Sequence, residues 1–320
     1  AVTVETVSVD DNYKNKAFKE RDEIPIKVTF SQNVTTTGKM ELELDASAEY
    51  TKIVATAEPV TDQNVVTFVY RVGKDDETET GEYLDYSSTG ALSLKENAEI
   101  TSGENPVSLY LPEPGRGQSL SECKIVIDNT APVNSTTPSV LKNGSAVSAF
   151  GGAKYFKEND KMTVKVPLNE TVTVKEGAAP YIEMNYQKPG SQENARWVYE
   201  HKEDSSGKTT LFFDYTVSAE DTLEKGTLNT SGDAWKIHME PGDIADAAGN
   251  DLDPALKAPS WSNPFSNTWF DTEAPVWEEG AALKVERVEG TKNVLITSPS
   301  ATDALSGLAT SSPYKLYRQE

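Results

Sequence analysis

The chain has 320 residues, with 30 Lys+Arg against 51 Asp+Glu and a formal net charge of −21. A surface this acidic repels nucleic-acid phosphates and anionic lipid, which argues against both as partners. No apolar run approaches the ~18 residues of a membrane span, and the single Cys123 cannot form an internal disulfide.

In chain order, the first elements alternate strictly between apolar and polar. Ile24, Ile26, Val28 and Phe30 face one way while Lys27 and Thr29 face the other; Met40, Leu42 and Leu44 alternate with Glu41 and Glu43. Val66 to Val72, Leu92/Leu94, Val107 to Leu111 and Ile125/Ile127 continue the pattern. Period-two alternation predicts strands with one face on a core and one in water. Turn-rich stretches such as Pro112-Glu113-Pro114-Gly115 separate them, and nothing in this half reads as a capped helix. Several short strands of this kind predict a β-sandwich.

The pattern then returns roughly 140 residues further on. Phe18-Lys19-Glu20-Arg21-Asp22 recurs as Phe156-Lys157-Glu158-Asn159-Asp160. Phe68-Val69-Tyr70-Arg71-Val72 recurs as Phe213-Asp214-Tyr215-Thr216-Val217. Asp128-Asn129-Thr130-Ala131-Pro132-Val133 recurs as Asp271-Thr272-Glu273-Ala274-Pro275-Val276. An ordered duplication of this length means tandem domains rather than a solenoid. The expected boundaries are 1–132, 133–275 and a partial third module at 276–320. The second repeat adds Pro259 to Phe270, whose Trp261, Phe265, Trp269 and Phe270 form either a core plug or an exposed stack for sugar rings; the plug is the preferred reading.

After Val276 the pattern changes to Leu283/Val285, Val294/Ile296 and Tyr314/Leu316, with Asp303-Ala304-Leu305-Ser306-Gly307 between. This supplies about three of the seven strands a sandwich needs, so Leu295, Leu316 and Tyr317 are expected to be less buried than core strand residues. Trp277 is the expected anchor for docking on the second repeat. The chain opens without an initiator Met or signal peptide and reads as an excised or mature segment.

The two repeats resemble the bacterial immunoglobulin-like modules strung along large surface proteins. The resemblance rests on Ile26 to Ser31, Phe68 to Val72, Tyr155 to Asp160, Asp246-Ala247-Ala248-Gly249-Asn250 and Ile127 to Pro132, and covers about residues 4–276. The tail resembles the first half of a fibronectin type III domain, through Asp303 to Gly307 and Tyr314-Lys315-Leu316-Tyr317-Arg318. It implies an all-β fold of tandem immunoglobulin-like sandwiches in an elongated array. It further implies a non-enzymatic, extracellular, bacterial cell-surface segment that works beside other domains of the same protein and, in adhesion, with a host or matrix glycan or protein. The alternative is an accessory or carbohydrate-binding module of a secreted polysaccharide-degrading enzyme, with Trp261, Phe265 and Trp269 as its ligand residues.

Catalytic patterns are weak. Ser206-Gly207-Lys208-Thr209 lacks the upstream Gly of a phosphate-binding loop and precedes a strand, so it reads as a hairpin turn. His201 and His238 are the only histidines, and neither stands in a nucleophile pattern. The sharpest site expectation is calcium, a hard cation that takes carboxylate and carbonyl oxygens. In cadherin-like modules, acidic turns at one pole hold calcium and stiffen the joint. The corresponding residues are Glu20, Asp22, Asp85 and Asp128 in the first repeat, and Glu158, Asp160 and Asp271 in the second. The competing reading is that these acids cap turns with backbone hydrogen bonds.

Overall fold

The computed structural model describes residues 1–46, 52–149, 152–226, 235–257, 265–280 and 282–303. Among these the chain is almost entirely β, with several sheets, one short 3-10 turn at Leu120–Cys123 and no α-helix. It divides into two compact units. One comprises residues 1–132, 171–176 and 241–253; the other comprises 133–170, 177–240 and 254–320.

The first unit is built on an eight-stranded sheet. Along its path lie Val4–Ser8, Glu23–Thr36, Gln63–Arg71, Ile53–Ala57, Met40–Asp45 and Asp85–Tyr86, with Leu92–Leu94 on the Met40 strand and Ile100–Thr101 on the Glu23 strand. The alternation read from the sequence holds: Ile24, Ile26, Val28, Phe30, Met40, Leu42, Val66, Phe68 and Tyr70 are all buried. Two segments from far along the chain complete the unit. Thr173–Val174 pairs with Ile244–Ala245, and Val172, Ile244 and Leu252 are buried.

The second unit carries a seven-stranded sheet in the order Ser145–Ala146, Ser139–Lys142, Lys161–Pro167, Lys208–Thr216, Asn194–Ser205, Tyr181–Gln187, Ile237–His238. A three-stranded sheet of Lys154–Phe156, Thr268–Phe270 and Leu223–Gly226 accompanies it. Ser206 and Gly207, both at positive φ, turn the long hairpin between Asn194–Ser205 and Lys208–Thr216, as the hairpin reading of that stretch requires.

The sequence duplication reappears as a duplicated hydrogen-bond frame. Val126–Ile127 pairs in parallel with Ala17–Phe18, and Thr268–Phe270 pairs in parallel with Lys154–Phe156. The Asp128 N–H donates to the Phe18 carbonyl (2.9 Å) and the Asp271 N–H to the Phe156 carbonyl (2.8 Å). In the entry turns, Arg21 and Asn159 both sit at positive φ. Their N–H groups reach the Val72 and Val217 carbonyls, each at 2.9 Å. Further along, the Tyr70 hydroxyl donates to Asp76 and the Tyr215 hydroxyl to Asp221, each at 2.7 Å. The same two carboxylates accept the Gly73 and Ser218 N–H groups, again at 2.7 Å. A buried phenol and a turn N–H closed on one carboxylate bolt the strand to the loop that follows it.

The tail forms two short pairs, Val276–Trp277 with Ala301–Thr302 and Lys284–Arg287 with Val294–Thr297. Leu295 is 54 % exposed and Trp277 55 %. Leu295 thus behaves as an incomplete module predicts, whereas Trp277 is no buried anchor. Leu316 and Tyr317 lie outside the described residues.

Candidate functional site

Most of the acids singled out in the sequence are engaged in turns. Asp22 accepts the Lys19 N–H (2.9 Å). Asp85 is buried, with one oxygen on the Tyr86 N–H (2.9 Å) and the other on the Gly115 N–H (2.8 Å). Glu20 is exposed beside Arg21, and Glu158 is exposed as well. Asp271 is buried at the exit of the Thr268–Phe270 strand. No three of Glu20, Asp22, Asp85 and Asp128 bring their carboxylates within 4.8 Å of one another, and neither do Glu158, Asp160 and Asp271.

Asp160 shows why a buried carboxylate need not imply a metal. It accepts from Lys142 Nζ (2.8 Å), the Lys157 N–H (2.8 Å) and Asn143 Nδ2 (2.8 Å). Burial alone would raise its pKa, but these bonds together outweigh burial and hold it below the ordinary 3.8. A depressed carboxylate stabilises the fold fully above the unfolded pKa of 3.8, and that contribution is lost as pH falls through the lower folded value. Asp160→Asn is therefore expected to lower the melting temperature by several degrees at neutral pH. The deficit should shrink as pH falls below 3.8 and through the lower folded value, where Asp160 becomes neutral; a deficit independent of pH would contradict this account.

Within the first unit Asp128 and Asp246 converge, with Glu77 near enough to feel both charges. Asp128 and Asp246 place carboxylate oxygens within 4.8 Å of each other. Burial raises the pKa of Asp128, and the Asp246 charge raises it further against the opposing Thr130 N–H. Burial likewise raises Glu77, to which Asp128 and Asp246 add repulsion. The turn that presents Asp246 is held by its own residues: its oxygens accept the Asn250 N–H (2.9 Å) and Asn250 Nδ2 (2.8 Å). Gly249, at φ +87°, occupies a backbone conformation closed to most side chains. Asn250 Nδ2 also donates to the Asp128 carbonyl (2.8 Å), and the Asp253 N–H to the Pro132 carbonyl (2.9 Å). Lys19 Nζ reaches the Gly249 carbonyl. The Asp128–Pro132 junction is thus gripped by a turn more than a hundred residues away in sequence. Asp128 and the Asp246–Asn250 turn both stand out in the sequence, but they belong to different repeats of it.

Of the aromatic cluster, Phe265 is wholly buried, packed against Trp197 (5.2 Å) and Trp235 (5.0 Å), so no sugar ring reaches it. Trp269 is half-buried against Tyr155 (5.8 Å), and Trp261 lies outside the described residues. No family model matches the sequence, and no curated protein matches it.

Proposed function

We propose that the chain is a non-catalytic extracellular segment of a modular bacterial surface protein. In this reading, tandem immunoglobulin-like sandwiches, followed by the start of a fibronectin type III-like module, space or present a binding or catalytic domain carried elsewhere in the same protein. The observation that carries the reading is the duplicated frame. What has been copied is a set of bolts, Tyr70–Asp76 with Tyr215–Asp221 and Asp22 with Asp160, whose polar atoms point into the fold and saturate one another. Copied groups of that kind resist unravelling; they offer nothing to a substrate.

Calcium enters the proposal at Asp128, Asp246 and Glu77. This oxygen-rich set matches the chemistry of a hard divalent cation, which would offset the burial that raises Asp128 and Glu77 and the smaller carboxylate repulsion that adds to it. One experiment tests both parts: small-angle scattering and thermal melting of the whole chain, with millimolar calcium and then with excess chelator. A spacer is expected to give a radius of gyration well above the ~20 Å of a 320-residue globule; a value near that size would overturn it. Calcium is expected to raise the melting temperature, and Asp128→Asn to abolish the rise. Identical melting curves in calcium and chelator would remove calcium from the proposal and leave the spacer untouched.

A further inference from the structure

The outer face of the seven-stranded sheet breaks the alternation that governs the rest of the chain. On Lys208–Thr216, Leu211, Phe213 and Tyr215 face the core, so Phe212 points outward, where a polar residue belongs, yet it is buried. Two neighbours cover it. The His201 imidazole stacks on its ring at 4.4 Å, with only 6° between planes, and Lys165 Nζ lies 5.8 Å from its centre.

A bulge makes this stack possible. Tyr199 pairs with Phe213 and His201 with Phe212, so Glu200 is an extra residue between them. Without it Glu200 would stand opposite Phe212 and His201 would turn inward. Bulges of this kind re-aim side chains and gather next to binding sites.

Beside the stack lies a trough of about 500 Å³, floored by Phe212, Thr163 and Asp214 and rimmed by His201, Glu203 and Lys161. Thr163 Oγ1 donates to Asp214 (2.6 Å), and Lys161 forms an ion pair with Asp214 (2.7 Å). Asn143, in the turn after Ser139–Lys142, forms the far wall and also borders a second depression of about 450 Å³. The trough therefore crosses four adjacent strands, about 14 Å at the usual inter-strand spacing, which suits a chain-like ligand.

We propose that this trough binds a neutral oligosaccharide. Lys161 and Asp214 neutralise each other, which leaves Glu203, beside His201, as the remaining carboxylate of the rim, too little to hold an ion by itself. An anionic polymer would meet the −21 charge of the chain, and a polycation would have no reason to choose this spot. An extended peptide gains its affinity from main-chain hydrogen bonds at a sheet edge. Under the trough, Ser139–Lys142, Lys161–Pro167 and Lys208–Thr216 are paired on both sides, while Asn194–Ser205 meets Tyr181–Gln187 only as far as Val198; the trough lies on the face of these strands rather than along an edge, so side chains are what it offers. What remains is a flat ring for the C–H face of a sugar and clustered acceptors and donors for its hydroxyls, in a cavity of ordinary ligand-site size. The proposal does not rest on the spacer reading.

The test is native affinity electrophoresis of the full chain through gels containing, in turn, a soluble β-1,4-glucan, a β-1,3-glucan, a galactomannan, an arabinoxylan and dextran. Retardation by at least one is expected. His201→Ala should weaken it roughly tenfold, the loss of one stacking platform and its neighbours, and Glu203→Gln should weaken it less. Both residues are substantially exposed, so both variants should fold: Glu203→Gln with the parent melting curve, and His201→Ala with a melting temperature lowered only modestly by the lost stack over Phe212. Trp269→Ala should leave binding intact. No retardation by any of the five polymers, or retardation that His201→Ala leaves unchanged, would overturn the proposal. A chain that binds sugar but scatters as a compact globule would sustain the trough and sink the spacer.

Discussion

Replacing Asp221 by alanine is expected to destabilise the second unit by about 3–5 kcal/mol, the range for stripping a buried, multiply hydrogen-bonded charge of its role. Asp221 is wholly buried. One oxygen accepts the Tyr215 hydroxyl (2.7 Å) and the Ser218 N–H (2.7 Å), and the other accepts the Tyr186 hydroxyl (3.0 Å). Burial, followed by the Asp221 interactions, pushes both phenols far above their usual range, so each remains a committed donor at any pH the protein survives. Alanine leaves three donors facing a hole. Removing one orphan should restore part of the loss, so Asp221→Ala/Tyr215→Phe should be less unstable than the two single changes summed. The matched Asp76→Ala should cost less, about 1–2 kcal/mol, because Asp76 is only half-buried and accepts two donors rather than three. Urea unfolding followed by circular dichroism measures all four variants. A loss below about 1 kcal/mol for Asp221→Ala would mean that the bolt does not hold the unit together.

Phe265→Ala should be of similar size, about 3–5 kcal/mol for a phenylalanine deleted from a close-packed core. Its ring is shared by Trp197, itself wholly buried, and Trp235. Water entering that cavity should shift the tryptophan emission to the red before global unfolding. If instead the fold is unmoved, the segment around Phe265 is no plug, and its aromatic residues regain standing as a surface for ligands.

The strands were legible because burial on one face forces a two-residue period, and Ile24 to Phe30 or Met40 to Leu44 obey it without exception. The duplication was legible because its anchors sit at strand ends, where hydrogen-bond geometry tolerates few residue types. It ran further than the sequence reading followed it: Asp76 and Asp221 each lie four residues beyond the matched Val72 and Val217, but the intervening loop residues differ and hide the correspondence. The turn-capping roles of Asp22, Asp85 and Asp160 were open to the sequence as the plainer alternative to a metal. The meeting of Asp128 with Asp246 was not, because it depends on pairing across more than a hundred residues. Nor was the outward Phe212, because a single inserted residue, Glu200, changes which side chain stands over it. A bulge leaves no mark on composition.

The first unit is not finished when its first 132 residues have been made. Its contacts include residues 171–176 and 241–253, among them the pairing of Thr173–Val174 with Ile244–Ala245 and the grip of Asn250 on Asp128. On a ribosome adding about 5–20 residues per second, the N-terminal sheet waits several seconds for the pieces that close it. During that interval the Asp128 carbonyl lacks its Asn250 partner and the Asp128–Pro132 junction is ungripped. The usual order of domain-by-domain maturation does not apply here: the unit that begins first is completed only after most of its neighbour has emerged.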